Sequence, residues 1–106
     1  MRYVFDIDGT VCTQSSGDYT TAEPRHNRIQ KINKLYDEGH TVIMLTARGM
    51  GRSKNNATEA NNLFFDFTKR QLDAWGVKYH ALFLGKPAGD FYIDDKGMKD
   101  NDFFGD

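Results

Sequence analysis

Short apolar runs separated by stretches of a different period limit this chain to a small set of folds. The runs are "YVFDI" from Tyr3, "HTVIMLT" from His40, "KYHALFL" from Lys78 and "FYI" from Phe91. Between the first two, a polar Gly- and Ser/Thr-rich connection gives way to a helix expected from about Pro24 to Glu38. There Ile29, Ile32, Leu35 and Tyr36 recur at spacings of three and four, Pro24 suits the first turn and Gly39 the exit. A second helix is expected from about Ala57 to Trp75, with Ala60, Leu63, Phe64, Phe67 and Trp75 on one stripe and Gly76 as its stop. The second run is apolar throughout, as in a parallel strand covered on both faces. The fourth run reads as a fourth strand, and the tail "MKDNDFFGD" is too short for another full helix. This order predicts an α/β fold, a small Rossmann-like three-layer sandwich around a mainly parallel sheet, in a single domain over 1–106.

Composition narrows the function classes. With 106 residues and 39% hydrophobic content the chain can bury a real core. Its net charge of −1 weighs against nucleic acid or an anionic membrane as partner. No apolar run approaches the roughly 20 residues of a membrane span, and no basic-then-apolar leader opens the chain. The lone Cys12 excludes an internal disulfide and fits a reducing compartment. The expected location is therefore the cytoplasm. His26, His40 and His80 lack metal-ligand spacing and read as structural or surface residues. Cys12, with no recognisable His or Asp partner, reads as a small packed side chain.

In open parallel sheets, ligands bind beyond the carboxyl ends of the strands, so chemistry should gather where each run stops. It does. The first run ends in Asp6 and Asp8, the second in Thr46, the fourth in Asp94 and Asp95, and Lys86 follows the third. Carboxylates brought together in this way repel unless a cation joins them. Oxygen-only donors point to a hard ion, and Mg²⁺ fits because it takes few protein carboxylates and shares its shell with water and phosphate.

The set "FDIDGT", "VIMLT", "GKP" and "YIDD", in this order, resembles the four motifs of the haloacid dehalogenase-like (HAD) superfamily of phosphohydrolases, over residues 3 to 97. The resemblance implies Asp6 as the nucleophile forming an aspartyl-phosphate and Asp8 as the acid, then base. It implies Mg²⁺ on Asp6, the Asp8 main-chain carbonyl and Asp94, with Asp95 helping. Thr46 and Lys86 would grip the phosphoryl oxygens. Backbone N–H groups of the Asp8–Gly9–Thr10 turn would point at the phosphate, with Ala47 beside them. The basic loop of Arg48, Arg52 and Lys54 borders this site, and Arg48 is the candidate for an anionic or hydroxyl-rich part of the substrate.

Neither gap between motifs has room for a cap domain, so the resemblance implies a capless member with an open site, covered by a large substrate or by a second copy in a homo-oligomer. "INKLYDEGHTVIMLTARGM" and "YIDDKGM" are most similar to small bacterial phosphatases of capsule or surface-polysaccharide biosynthesis, which implies a sugar phosphate or related polyol phosphate as substrate. Two other readings stand beside it. One is a polynucleotide 3′-phosphatase, suggested by the Thr-Ala-Arg-Gly turn. The other is a phosphate-binding regulatory protein without turnover, which would be expected to lack one of these motif residues. Phe103 and Phe104 either seal the core edge or dock a neighbour.

Overall fold

The computed structural model describes residues 1–51 and 53–106, so Arg52 lies outside the described residues. Three parallel strands form one sheet in the order β1 (Arg2–Phe5), β2 (Thr41–Thr46), β3 (Ala81–Leu84). The helix α1 (His26–Asp37) joins the first two strands and α2 (Ala57–Ala74) the last two, both close to the expected limits. Both helices stop where Gly39 and Gly76 take positive φ, at 96° and 76°. At the start of α2, Asn56 Oδ1 accepts the Glu59 N–H at 3.0 Å.

Alternation along the strands decides the layers. Tyr3 and Phe5, Val42 and Met44, and Leu82 and Leu84 join Ile29 and Ile32 of α1 and Leu72 of α2 in one apolar cluster. Complete burial of Ile32, Met44 and Leu72 contributes about 1.5–3 kcal/mol apiece. Right-handed crossovers that step in one direction across the sheet put both helices on that side. The opposite side carries Val4 and Phe83, each 55% exposed. The expected sandwich is thus closed by α1 and α2 on one side and open on the other. β2 alternates between buried and half-buried residues instead of being covered on both faces. On α2 the buried stripe runs through Ala60, Thr68 and Leu72, while the expected Leu63 is 53% exposed.

The expected fourth strand does not form. Phe91, Tyr92 and Ile93 lie outside any sheet, and Ile93 is 98% exposed. The reason is the connection. Only residues 85–90 separate β3 from this run, whereas a parallel strand needs a crossover of about a dozen residues or more. The segment is also tied to the carboxyl edge: Lys86 N–H donates to Thr46 O at 3.2 Å and Ala88 N–H to Asn55 Oδ1 at 3.0 Å.

The tail instead forms one helical turn, α3 (Asp100–Phe104). Phe103 and Phe104 settle against Phe5 at centroid distances of 5.6 and 6.0 Å, so they seal the core edge. Arg28 of α1, itself buried, fixes this turn. Its guanidinium donates to Asp100 at 2.7 Å, Asp106 at 2.6 Å and Thr10 O at 3.1 Å. Beside it both carboxyls are held below their ordinary range.

Candidate active site

Strand register levels the carboxyl ends, pairing Phe5 with Met44 and Thr46 with Leu84. Whatever follows these positions therefore meets at one edge. A cleft of about 350 Å³ opens there, lined by Asp6, Asp8, Thr46, Ala47, Arg48 and Lys86, and walled by the 14–19 loop and Tyr92. These expected positions thus converge from the ends of all three strands.

Lys86 Nζ stands 3.6 Å from Asp6 Oδ1 and 4.2 Å from the centre of the Tyr92 ring. Burial raises the Asp6 carboxyl, and the Lys86 ammonium opposes that rise. The lysine therefore favours the ionised form that a nucleophile requires. Thr46 is buried, and its Oγ1 accepts the Arg48 N–H at 3.1 Å, which leaves the hydroxyl proton for another acceptor.

Two expectations change at this edge. The Gly9 and Thr10 N–H groups are already engaged, with Cys12 O at 2.8 Å and Ile7 O at 3.0 Å. They close a tight turn, made possible by φ of 84° at Gly9, and do not point at a phosphate. Arg48 also has a different partner from the one expected. It is 1% exposed and grips Asp8 through Nε–Oδ2 at 2.9 Å and Nη2–Oδ1 at 3.0 Å. Tyr19 stacks on the guanidinium at 4.7 Å and accepts the Gly49 N–H at 3.0 Å. Sequence reasoning misses Tyr19 and Gln14. The signal for Tyr19 is a lone aromatic in a polar loop that leads away from the acidic pair. Lys54 is exposed with φ of 56°, and Arg52 lies outside the described residues.

Asp94 and Asp95 are not assembled with Asp6 and Asp8. Both are exposed, and Asp94 Oδ1 accepts the Lys96 N–H at 2.8 Å, a turn that holds its carboxyl below the ordinary range. Among the described residues no group of three or more His, Cys, Asp or Glu side chains could hold a metal ion. The Asp8 carbonyl, expected to face the cation, accepts from Gln14 Nε2 at 3.4 Å. In this arrangement the donors do not fit a divalent ion.

The remaining candidates are structural. His80 Nδ1 accepts the Val42 N–H at 3.0 Å, and His40 Nδ1 meets the chain's amino group at 2.9 Å. Burial, with Asp8 beside it, pushes the Cys12 thiol up to about 12, so it is no nucleophile. Among the described residues no helix is long and apolar enough to cross a membrane.

A three-strand parallel sheet with helices is consistent with a Rossmann-like core of HAD type, and solved structures agree on this fold. A Vibrio cholerae protein solved by crystallography is 27% identical, with a TM-score of 0.88 over 97% of this chain and 86% of its own. The D,D-heptose 1,7-bisphosphate phosphatase of B. bronchiseptica, solved with magnesium and phosphate, is 25% identical with a TM-score of 0.55, over 92% of this chain and 53% of its own. A chain of a Pnkp1/Rnl/Hen1 complex shares the fold at 18% identity and a TM-score of 0.58, over 89% of this chain and 31% of its own. This chain thus spans about half of the phosphatase and about a third of the complex's chain. No family model and no curated protein matches the sequence.

Proposed function

We propose that this chain is a phosphomonoester hydrolase acting through an aspartyl-phosphate on Asp6. The observation that carries it is the Asp6 carboxylate with the Lys86 ammonium 3.6 Å away, in a cleft that also holds Asp8 and Thr46. An Asp6 oxygen attacks phosphorus, the bond to the leaving oxygen breaks, and Asp8 protonates that oxygen. Water then attacks phosphorus, Asp8 takes its proton, and Asp6 is released with inorganic phosphate. Lys86 and Thr46 hold the charge that builds on the phosphoryl oxygens. Mg²⁺ is the proposed countercharge, with Asp6, the Asp8 carbonyl and Asp94 as the donors that the family resemblance implies and Asp95 as a helper; Asp94 and Asp95 stand apart from Asp6 and Asp8 in the present arrangement and would have to approach the cleft to hold it. The magnesium and phosphate in the bronchiseptica phosphatase support it.

The proposed substrate is a sugar phosphate or related small metabolite of polysaccharide biosynthesis, handled in the cytoplasm by this one domain. A second copy is the proposed cover for the open site. For the nucleic-acid alternative, burial of Arg48 removes a cation that a phosphate backbone would need.

The test is phosphate release from sugar phosphates, nucleotides and a 3′-phosphorylated oligonucleotide, with Mg²⁺ or chelator, alongside Asp6→Asn. Mg²⁺-dependent release from a sugar phosphate that Asp6→Asn abolishes supports the reading. Preference for the oligonucleotide, weakening steeply with salt, would move it to the nucleic-acid class. No turnover by the unaltered protein would end the catalytic reading.

A further inference from the structure

The most heavily engaged charge in the cleft belongs to a residue for which the proposed chemistry has no use. Arg48 is among the largest fully buried side chains of the protein. A guanidinium cannot shed its charge, so burial demands a partner. Asp8 is its one salt-bridge partner among the described residues, met through two parallel hydrogen bonds of 2.9 and 3.0 Å. The other faces of the guanidinium are occupied as well. Thr68 Oγ1 lies 3.4 Å from Nη1, the Cys12 sulfur 3.9 Å from Nη2, and the Tyr19 ring stacks at 4.7 Å. Thr68 belongs to α2 and Tyr19 opens a short 3₁₀ helix, Tyr19–Thr21, so two elements hold the guanidinium in place.

We infer that Arg48 is a positioning residue for Asp8: its two-point grip fixes the plane of the carboxylate, so that an unshared lone pair is presented to the cleft where the leaving oxygen departs. The inference rests on the reading of Asp8 as acid and base. Each carboxylate oxygen has two lone-pair sites, so the grip leaves acceptor capacity on Asp8. Its orientation is no longer free. A planar fork sets direction as well as distance, which a lysine ammonium cannot do. Because the Arg48 side chain is fully buried and its guanidinium is occupied by Asp8, Thr68, Cys12 and Tyr19, it acts on the reaction through Asp8 and not through contact with substrate.

The consequence is specific to the leaving group. An alkyl phosphate expels a strongly basic alkoxide and needs the proton that Asp8 delivers. A p-nitrophenyl phosphate expels a weakly basic phenolate and needs it far less. The experiment measures kcat/KM for glycerol phosphate and p-nitrophenyl phosphate with the unaltered protein, Arg48→Lys and Asp8→Asn. The inhibition constant of inorganic phosphate and the melting temperature are measured for each. kcat/KM covers the steps through leaving-group departure, so the later hydrolysis does not blur it.

Arg48→Lys should lose roughly 100-fold on glycerol phosphate, within the range general acid catalysis supplies, and under about tenfold on p-nitrophenyl phosphate. It should copy the selectivity of Asp8→Asn with the phosphate inhibition constant unchanged. Tyr19→Leu keeps the salt bridge and removes the stacked ring together with the hydroxyl that accepts the Gly49 N–H. It should lose roughly fivefold with the same selectivity, and so provides the test if Arg48→Lys does not fold. Equal losses on both substrates with a raised phosphate inhibition constant would make Arg48 a substrate-binding residue and overturn the inference. Equal losses with unchanged inhibition and a lower melting temperature would leave the pair purely structural, which also overturns it. No turnover by the unaltered protein would remove the hydrolase reading and this inference together.

Discussion

The chain carries two pairs of aspartates, each placed after a short apolar run, and the structure treats them in opposite ways. Asp6 and Asp8 follow a real strand, stand in the cleft, and are met by Lys86 and Arg48. Asp94 and Asp95 follow a run that never joins the sheet and end in an exposed turn. Local sequence is similar in the two places; the length of the connection to a neighbouring strand is not. β1 is paired by β2 after a long loop and a helix have turned the chain around. The run at Phe91 has only residues 85–90 behind it and stays near the edge that it left.

The largest test of this contrast removes the nucleophile. Asp6→Asn should lower kcat by roughly 10⁴-fold or more, the scale seen when a nucleophile is deleted from a concerted site. Circular dichroism should be unchanged, because Asp6 belongs to no core cluster. A variant retaining a tenth of the activity would take the reaction away from the Asp6 pair.

The second test asks whether the exposed pair joins the chemistry. Asp94→Asn, and more weakly Asp95→Asn, should raise the Mg²⁺ concentration for half-maximal turnover about 10- to 100-fold, the range for residues that support a metal. The phosphate inhibition constant at saturating Mg²⁺ should not move. If half-saturation stays put in both variants, the pair is a turn and nothing more, and the contrast between the two pairs becomes absolute.

What was legible in the sequence follows the same division. β1, β2, β3 and both long helices could be read because each has its own periodicity and its own stop, such as Gly39 and Gly76. Convergence of Asp6, Asp8, Thr46 and Lys86 followed from the rule that parallel strands end together. The failure at "FYI" was avoidable in principle, since counting residues 85–90 against the needs of a parallel crossover excludes the strand. The partner of Arg48 was not legible. A basic residue in a glycine-flanked loop reads as solvated, and only the tertiary approach of Asp8, Tyr19 and Thr68 buries it. Coverage of β2 was not legible either, because an apolar run does not say how many of its faces a short chain can cover.

A third test concerns what holds the end of the tail. Arg28→Met should lower unfolding free energy by about 1.5–3 kcal/mol, the scale of hydrogen bonds to charged groups, measured by urea titration. Asp100 and Asp106 both sit below their ordinary range. Their contribution is therefore complete above the unfolded value of about 3.9 and is lost as pH falls through the lower folded values. The ring resonances of Phe103 and Phe104 should shift toward free positions over that acidic window. Resonances that stay fixed while the Asp100 and Asp106 carboxyl signals titrate would mean that aromatic packing on Phe5, and not the ion pairs, holds the turn.

The smallest expected effect gives the sharpest test of the comparison. Ile93→Asp and Phe91→Asp place a charge where a central strand would tolerate none. If the run is exposed, as its 98% and 86% accessibilities indicate, each variant should change unfolding free energy by no more than about 0.5 kcal/mol. If the run instead docks as a strand, on its own sheet or on that of a second copy, burying the carboxylate should cost several kcal/mol. Concentration dependence separates those two cases: a loss confined to high protein concentration belongs to a second copy, and a loss at every concentration belongs to the chain itself. Val4, on the edge strand β1 and on the uncovered side of the sheet, offers the control. Val4→Asp should be as mild as Ile93→Asp while both sites stay open, and should become costly together with it only if the two segments meet.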